Sequence, residues 1–135
     1  MLALDTNVLI AFQKRDALVR ASYAQAVSAG EQIAVPSLVR YEARKELQNP
    51  IYERRLRFLD TLLDLHPTLE LDERVVDTAV VLSETLRRNG NVIADADILI
   101  AATALKFSAT LVTNNTKHFK RIPGLNLIDW QEEPQ

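Results

Sequence analysis

The chain has 135 residues, enough for one domain whose core needs no covalent staple. It holds no cysteine, which removes disulfides, thiolate catalysis and cysteine-ligated zinc or iron–sulfur centres. A net charge of −2 argues against coating nucleic acid by bulk attraction, though not against meeting it locally. The first residues, MLALDTNVLIAFQKR, place an acid inside the apolar stretch and the bases behind it, the reverse of a secretory leader. No uncharged run approaches the roughly 20 residues of a membrane span. A soluble, cytoplasmic protein with a single domain over residues 1–135 is expected.

In chain order, short apolar runs predict strands at Leu2–Leu4, Ile33–Val35, Leu69–Leu71, Thr110–Val112 and Leu127–Ile128. Between them, helical periodicity covers Asn7–Gln13, Ala17–Ser28, Leu38–Leu47, Tyr52–Leu63, Glu73–Arg88 and Asp97–Phe107. This alternation points to an α/β fold with a central, mostly parallel sheet flanked by helices. With three glycines and none in a Gly-rich turn after a strand, a dinucleotide fold or P-loop is not expected. Ligands of open α/β sheets settle beyond the carboxyl ends of the strands, so polar residues there are the candidates.

Asp5 directly follows the first strand and reads either as a helix N-cap or as a site acid. Ser37 is the expected cap of the next helix but one, on which Glu42 shares a face with Leu38 and Val39. An acid on an inward face needs a partner, because burying an unpaired charge is costly. Asp95 and Asp97 open the apolar run ILIAATALKF; one is explained as a cap, and the other is left over. Thr113, Asn114 and Asn115 stand just past a strand, either as a plain polar turn or as part of the same site. Carboxylate oxygens are hard ligands suited to Mg²⁺ or Mn²⁺, and acids that stay ionised together imply a cation. The pattern favours metal-assisted hydrolysis.

Charge is unevenly spread. Arg40, Arg44, Lys45, Arg54, Arg55 and Arg57 face only Glu42, Glu46 and Glu53, and Lys117, His118, Lys120 and Arg121 form a second basic stretch. Either is a solvated helix face or a phosphate contact, with Arg40, Arg44, Lys45, Lys117 and His118 the candidates for that contact. His66, before Pro67, reads as structural or surface.

The segments LDTNVLI, PSLVRYE, IADADILIAATAL and LVTNNTKHFKRIPGLNLIDW, in this order, closely resemble the PIN-domain family, in particular VapC-type toxins of bacterial toxin–antitoxin pairs. The resemblance runs from end to end. It implies a PIN-like three-layer fold and Mg²⁺- or Mn²⁺-dependent cleavage of RNA to 5′-phosphate and 3′-hydroxyl ends. It assigns Asp5, Glu42 and Asp97 as catalytic metal ligands, Asp95 as auxiliary, and Asn7 and Thr113 as polar supports. Asn115 matches a fourth polar position where many relatives carry aspartate, so a second metal is less secure than the first. The resemblance further implies a homodimer, a VapB-like antitoxin whose tail crosses the acidic groove, and a structured substrate such as transfer or ribosomal RNA. Two other readings stand beside it. One is a PIN-like module that holds RNA or protein without cutting. The other is a receiver-type phosphotransfer domain, disfavoured because only Asp5 follows the first strand.

Overall fold

The computed structural model describes residues 1–132, so the expected single domain reaches three residues beyond the described ones. Five strands form one sheet: β1 (Leu2–Leu4), β2 (Ile33–Pro36), β3 (Thr68–Leu69), β4 (Thr110–Val112) and β5 (Leu127–Ile128). Their order is β3-β2-β1-β4-β5, and every pairing is parallel. The three central strands are short, but parallel strands covered on both faces need only a continuous apolar run, and LAL and IAVP are buried at every position.

Helices α1 (Thr6–Gln13), α2 (Ala17–Ser28), α3 (Ser37–Lys45), α4 (Glu53–Asp64), α5 (Glu73–Arg88) and α6 (Asp95–Lys106) flank the sheet, and a short α7 (Thr116–Phe119) follows β4. Local chemistry sets their ends. Asp16 and Asp72 cap α2 and α5 by accepting from Val19 N and Val75 N, each at 3.1 Å. After Arg87 and Arg88 close α5, Gly90 takes φ +72°, where a Cβ would be strained. Helix α6 buries Ile98, Ile100, Ala101, Ala102, Thr103 and Ala104, and its alanines allow the close approach a central helix needs.

Four expectations shift. Ser37 is the first residue of α3 and not its cap; its hydroxyl instead donates to Leu69 O at 3.3 Å and accepts from Leu71 N at 3.3 Å, tying α3 to the end of β3. That strand lies at Thr68–Leu69 rather than Leu69–Leu71, anchored through Val35 N to Pro67 O at 3.0 Å. The helix predicted from Tyr52 begins as a 3-10 turn at Pro50–Tyr52, capped by Asn49, before α4. Helix α6 starts at Asp95, not Asp97, with Ala94 as a cap that offers no side-chain hydrogen bond.

The order places β1 at the centre, with β2 on one side and β4 on the other. The chain after β1 and the chain after β2 therefore leave on one side of a divide and the chain after β4 on the other, which opens a crevice at the carboxyl end of β1.

Candidate functional site

Asp5 leaves β1 into that crevice. Its backbone N–H continues the ladder by donating to Val112 O at 2.9 Å. Its side chain caps α1 by accepting from Thr6 N at 2.8 Å, so the cap reading of the sequence holds. The cap uses Oδ1. The second oxygen, Oδ2, accepts from Thr113 Oγ1 at 2.9 Å and more weakly from Asn7 Nδ2 at 3.4 Å.

Thr113 is wholly buried at the end of β4, and its hydroxyl is saturated: it donates to Asp5 and accepts from Asn115 N at 3.0 Å and Asn7 Nδ2 at 3.3 Å. Asn7 completes the clasp, its Oδ1 accepting from Asn114 N at 3.2 Å. The polar turn after β4 is thereby stitched to the start of α1. The hydroxyl and carboxylate at the centre of this network are satisfied, which fixes one arrangement, while the buried Asn114 Oδ1 at its margin has no partner among the described residues.

Glu42 rides on the face of α3 that packs against α1, half-buried beside Val39, as its spacing predicted. Its partner is a hydroxyl: Thr6 Oγ1 donates to Glu42 Oε1 at 2.7 Å. Thr6 thus links two acids, giving its amide to Asp5 and its hydroxyl to Glu42. The sequence reading did not single Thr6 out; its place between Asp5 and Asn7 at the first turn of α1 was the available signal.

Asp97 occupies the first turn of α6, where the helix N-terminus favours a carboxylate. His118 Nε2 lies 3.0 Å from its Oδ2. Asp95, in the same turn, is exposed and faces the groove between α5 and α6, beside Ser83, Glu84 and Arg87. Asn115 lies exposed at the rim, caps α7 only through its backbone, and its side chain makes no hydrogen bond among the described residues.

Electrostatics tie three of the acids together. Burial pushes the Asp5 carboxyl up to about 6, and the charges of Asp97 and Glu42 add to that rise, against the hydrogen bonds from Thr113 and Thr6. Asp5 therefore feels both other acids, and Asp95 does not enter.

Among the described residues, no three acids or histidines close on a single metal-sized point. The donors nonetheless suit a hard divalent ion. A Mg²⁺-type ion keeps several waters and takes one or two carboxylates directly, so it needs no closed cage. An Asp5 carboxyl pushed up to about 6 by burial, with two further acids close enough to add to the rise, is the kind of group a cation relieves.

The basic candidates divide. Arg40 turns inward: one terminal nitrogen donates to Leu63 O at 3.1 Å and to His66 O at 2.6 Å, closing the end of α4, so that group is occupied by the fold. Arg44 is exposed and pairs with Asp60 at 3.1 Å, while Lys45 lies over the ring of exposed Tyr41. Lys117 is exposed on α7, and His118 is committed to Asp97. His66 is structural, 2.6 Å from the Tyr23 hydroxyl.

A basic cleft that the sequence reading did not assemble lies at the far end of α1. It has a volume of about 280 Å³ and is lined by Gln13, Arg15, Arg20, Arg54, Arg55 and Phe58. None of those four arginines pairs with a carboxylate among the described residues, and Arg20 stacks over Phe12 at 4.8 Å and Phe58 at 5.5 Å. Arg54 and Arg55 were visible as part of a charge run. Arg15 and Arg20 come from another part of the chain, and only the packing of α1 against α4 brings them in.

Comparison with known proteins agrees with this fold. The family model described as PIN domain matches residues 2–125. Ribonuclease VapC1 of Haemophilus influenzae is 27% identical over 128 residues, covering 94% of this chain and 96% of that protein. The tRNA(fMet)-specific endonuclease VapC of Salmonella typhimurium is 32% identical over 91 residues, 67% of this chain and 66% of that protein. A crystal structure of VapBC2 from Rickettsia felis, bound to a DNA fragment from their promoter, superposes with a TM-score of 0.87 at 29% identity, covering 96% of this chain and 98% of that one.

Proposed function

The chain belongs to the PIN-domain family, and on that footing we propose that it is the ribonuclease toxin of a VapBC-type pair, hydrolysing RNA phosphodiester bonds with Mg²⁺ or Mn²⁺ in the cytoplasm. The observation that carries this is the gathering of acids at the carboxyl end of the central strand, where Thr6 joins Asp5 to Glu42 and Asp97 lies near enough for its charge to reach Asp5. Asp5, Glu42 and Asp97 would hold the ion, directly or through its waters; Asn115 stands at the rim, and Asp95, facing the groove between α5 and α6, stands apart from them. Bound there, the ion supplies a water of lowered pKa and neutralises charge developing on the phosphate.

The remaining residues have separable tasks. Thr6, Asn7 and Thr113 keep the Asp5 and Glu42 oxygens in place. Arg44, Lys45 and Lys117, together with the arginines of the basic cleft, hold the backbone of a structured RNA such as transfer or ribosomal RNA. Three acids in mutual repulsion accept a lysine or arginine for the same reason that they accept a metal, which suits a VapB-like antitoxin with a basic tail. The homodimer finds support in the groove of about 610 Å³ between α5 and α6, where Val76, Ala79, Val80 and Leu99 present an apolar lining. No helix among the described residues is long and apolar enough to cross a membrane.

The decisive comparison sets wild type against Asp5→Asn and Asp97→Asn on total cellular RNA with Mg²⁺, Mn²⁺ or chelator. Cleavage by wild type alone, and only with metal, is expected. Cleavage that survives chelation or both substitutions removes the metal reading, and intact RNA in every lane favours the binding module instead. Co-expression with the product of a small neighbouring reading frame should relieve toxicity; unchanged toxicity rejects that partner.

A further inference from the structure

The first turn of α6 and the short helix α7 are joined by a single side chain, His118, whose two ring nitrogens have different partners. Nε2 lies 3.0 Å from Asp97 Oδ2, and Nδ1 lies 2.7 Å from a terminal nitrogen of Arg121. Arginine has only donors to offer, so Nδ1 must accept. The ring proton is then on Nε2, the nitrogen that faces the carboxylate, and it donates to Asp97. The direction of the relay, Arg121 to His118 to Asp97, follows from the donor inventory alone.

Arg121 also fixes the backbone beneath the ring, its Nε donating to His118 O at 3.1 Å. Phe119, buried in the core, meets the imidazole edge to face with ring centres 5.1 Å apart. The ring is thus restrained on three sides, and its side chain is only 21% exposed. The outcome for Asp97 is asymmetric: Oδ2 is engaged, and no hydrogen bond reaches Oδ1 among the described residues.

We infer that His118 is a positioning residue for Asp97, locked in one tautomer by Arg121, and that this relay leaves the other Asp97 oxygen free for the divalent cation. The inference rests on the metal reading proposed above. Partners behind a metal's ligands fix ligand orientation and raise ligand basicity, and removing one typically costs 10- to 100-fold in metal affinity. The same relay explains why His118 is not a free contact for RNA, as its sequence position suggested.

Two measurements test it. Long-range ¹H–¹⁵N correlation on ¹⁵N-histidine-labelled, metal-free protein at pH 8 should place the His118 proton on Nε2, and Arg121→Met should let it redistribute between the two nitrogens. A proton on Nδ1 in the wild type overturns the lock. Mn²⁺ titration, followed by the electron paramagnetic resonance of the free ion, should show about a 10- to 100-fold weaker affinity for His118→Leu. His118→Gln, whose amide can still donate to Asp97, should stay within about threefold of wild type. Equal Mn²⁺ affinity in His118→Leu and wild type overturns the inference, as does weaker RNA binding in chelator with Mn²⁺ affinity unmoved. If His118→Leu does not fold, the tautomer spectra and the Mn²⁺ affinity of Arg121→Met, expected between those of wild type and a relay-free site, decide the matter. A wild type that binds no Mn²⁺ removes the metal reading and this inference with it.

Discussion

Without a divalent cation, Asp5 must carry its charge in a buried pocket beside two other carboxylates, and the folded state resists by holding its proton up to about pH 6 against 3.8 in the unfolded chain. Between those values the native state binds more protons than the unfolded one, so stability falls as pH rises through the window. The loss from this one group, fully present above pH 6, is about 3 kcal/mol. Denaturation of chelated protein from pH 4 to 8 should show that decline, and Asp5→Asn should flatten it. Thr113→Val tests the clasp from the other side. It strips a hydroxyl that serves Asp5, Asn7 and the Asn115 amide, and should cost about 1–3 kcal/mol in urea denaturation, with Thr113→Ser recovering most of it. Asp5, Asp97 and Thr113 could be picked out in the sequence because they lie at the end of a strand or the start of a helix, whereas Glu42, within α3, stood out by sharing a face with Leu38 and Val39. Their pairing was not legible. That Thr6 serves two acids, or that His118 turns to Asp97 rather than outward, depends on contacts across 36 and 21 residues of chain.

At the scale of elements, the strands and long helices were readable because an apolar run or a helical period buries its apolar side chains in one backbone conformation and exposes them in the rest. The boundaries that moved did so for local reasons. Ser37 joined its helix because β3 gave its hydroxyl better partners than a cap would. Asp95 entered α6 because the charge of the helix end favours acids inside the first turn as well as before it. Charge runs were the least readable feature, since a run along the sequence spreads around a helix. Arg40 and Arg54 illustrate this, for the first closes the carbonyl end of α4 and the second lines an open cleft. Arg40→Met should therefore lower stability by about 1–3 kcal/mol while leaving the salt dependence of RNA binding unchanged. Charge reversal of Arg54 and Arg55 should do the opposite, reducing the slope of log affinity against log salt with little change in melting temperature. An unaltered slope would remove the cleft from the RNA path.

For the whole molecule, the metal reading proposed above links the ion to the fold. Anything that binds only the native state stabilises it in proportion to the logarithm of its concentration, and an ion at 100 times its Kd contributes about 2.7 kcal/mol. Differential scanning calorimetry with increasing Mn²⁺ at pH 7.5 should show a rising Tm in wild type and none in Asp97→Asn; identical curves would detach the acids from the metal.

The strand order has a consequence for the cell that makes this protein. The hydrogen bond that clasps Asp5 comes from Thr113, 108 residues further along, on the strand that pairs with β1 last. Chains emerge from the ribosome at about 5–20 residues per second. For several seconds, then, Asp5 exists without the element that sets it in place. On the function proposed above, assembly in this order keeps the site incomplete until β4 has left the ribosome and paired with β1.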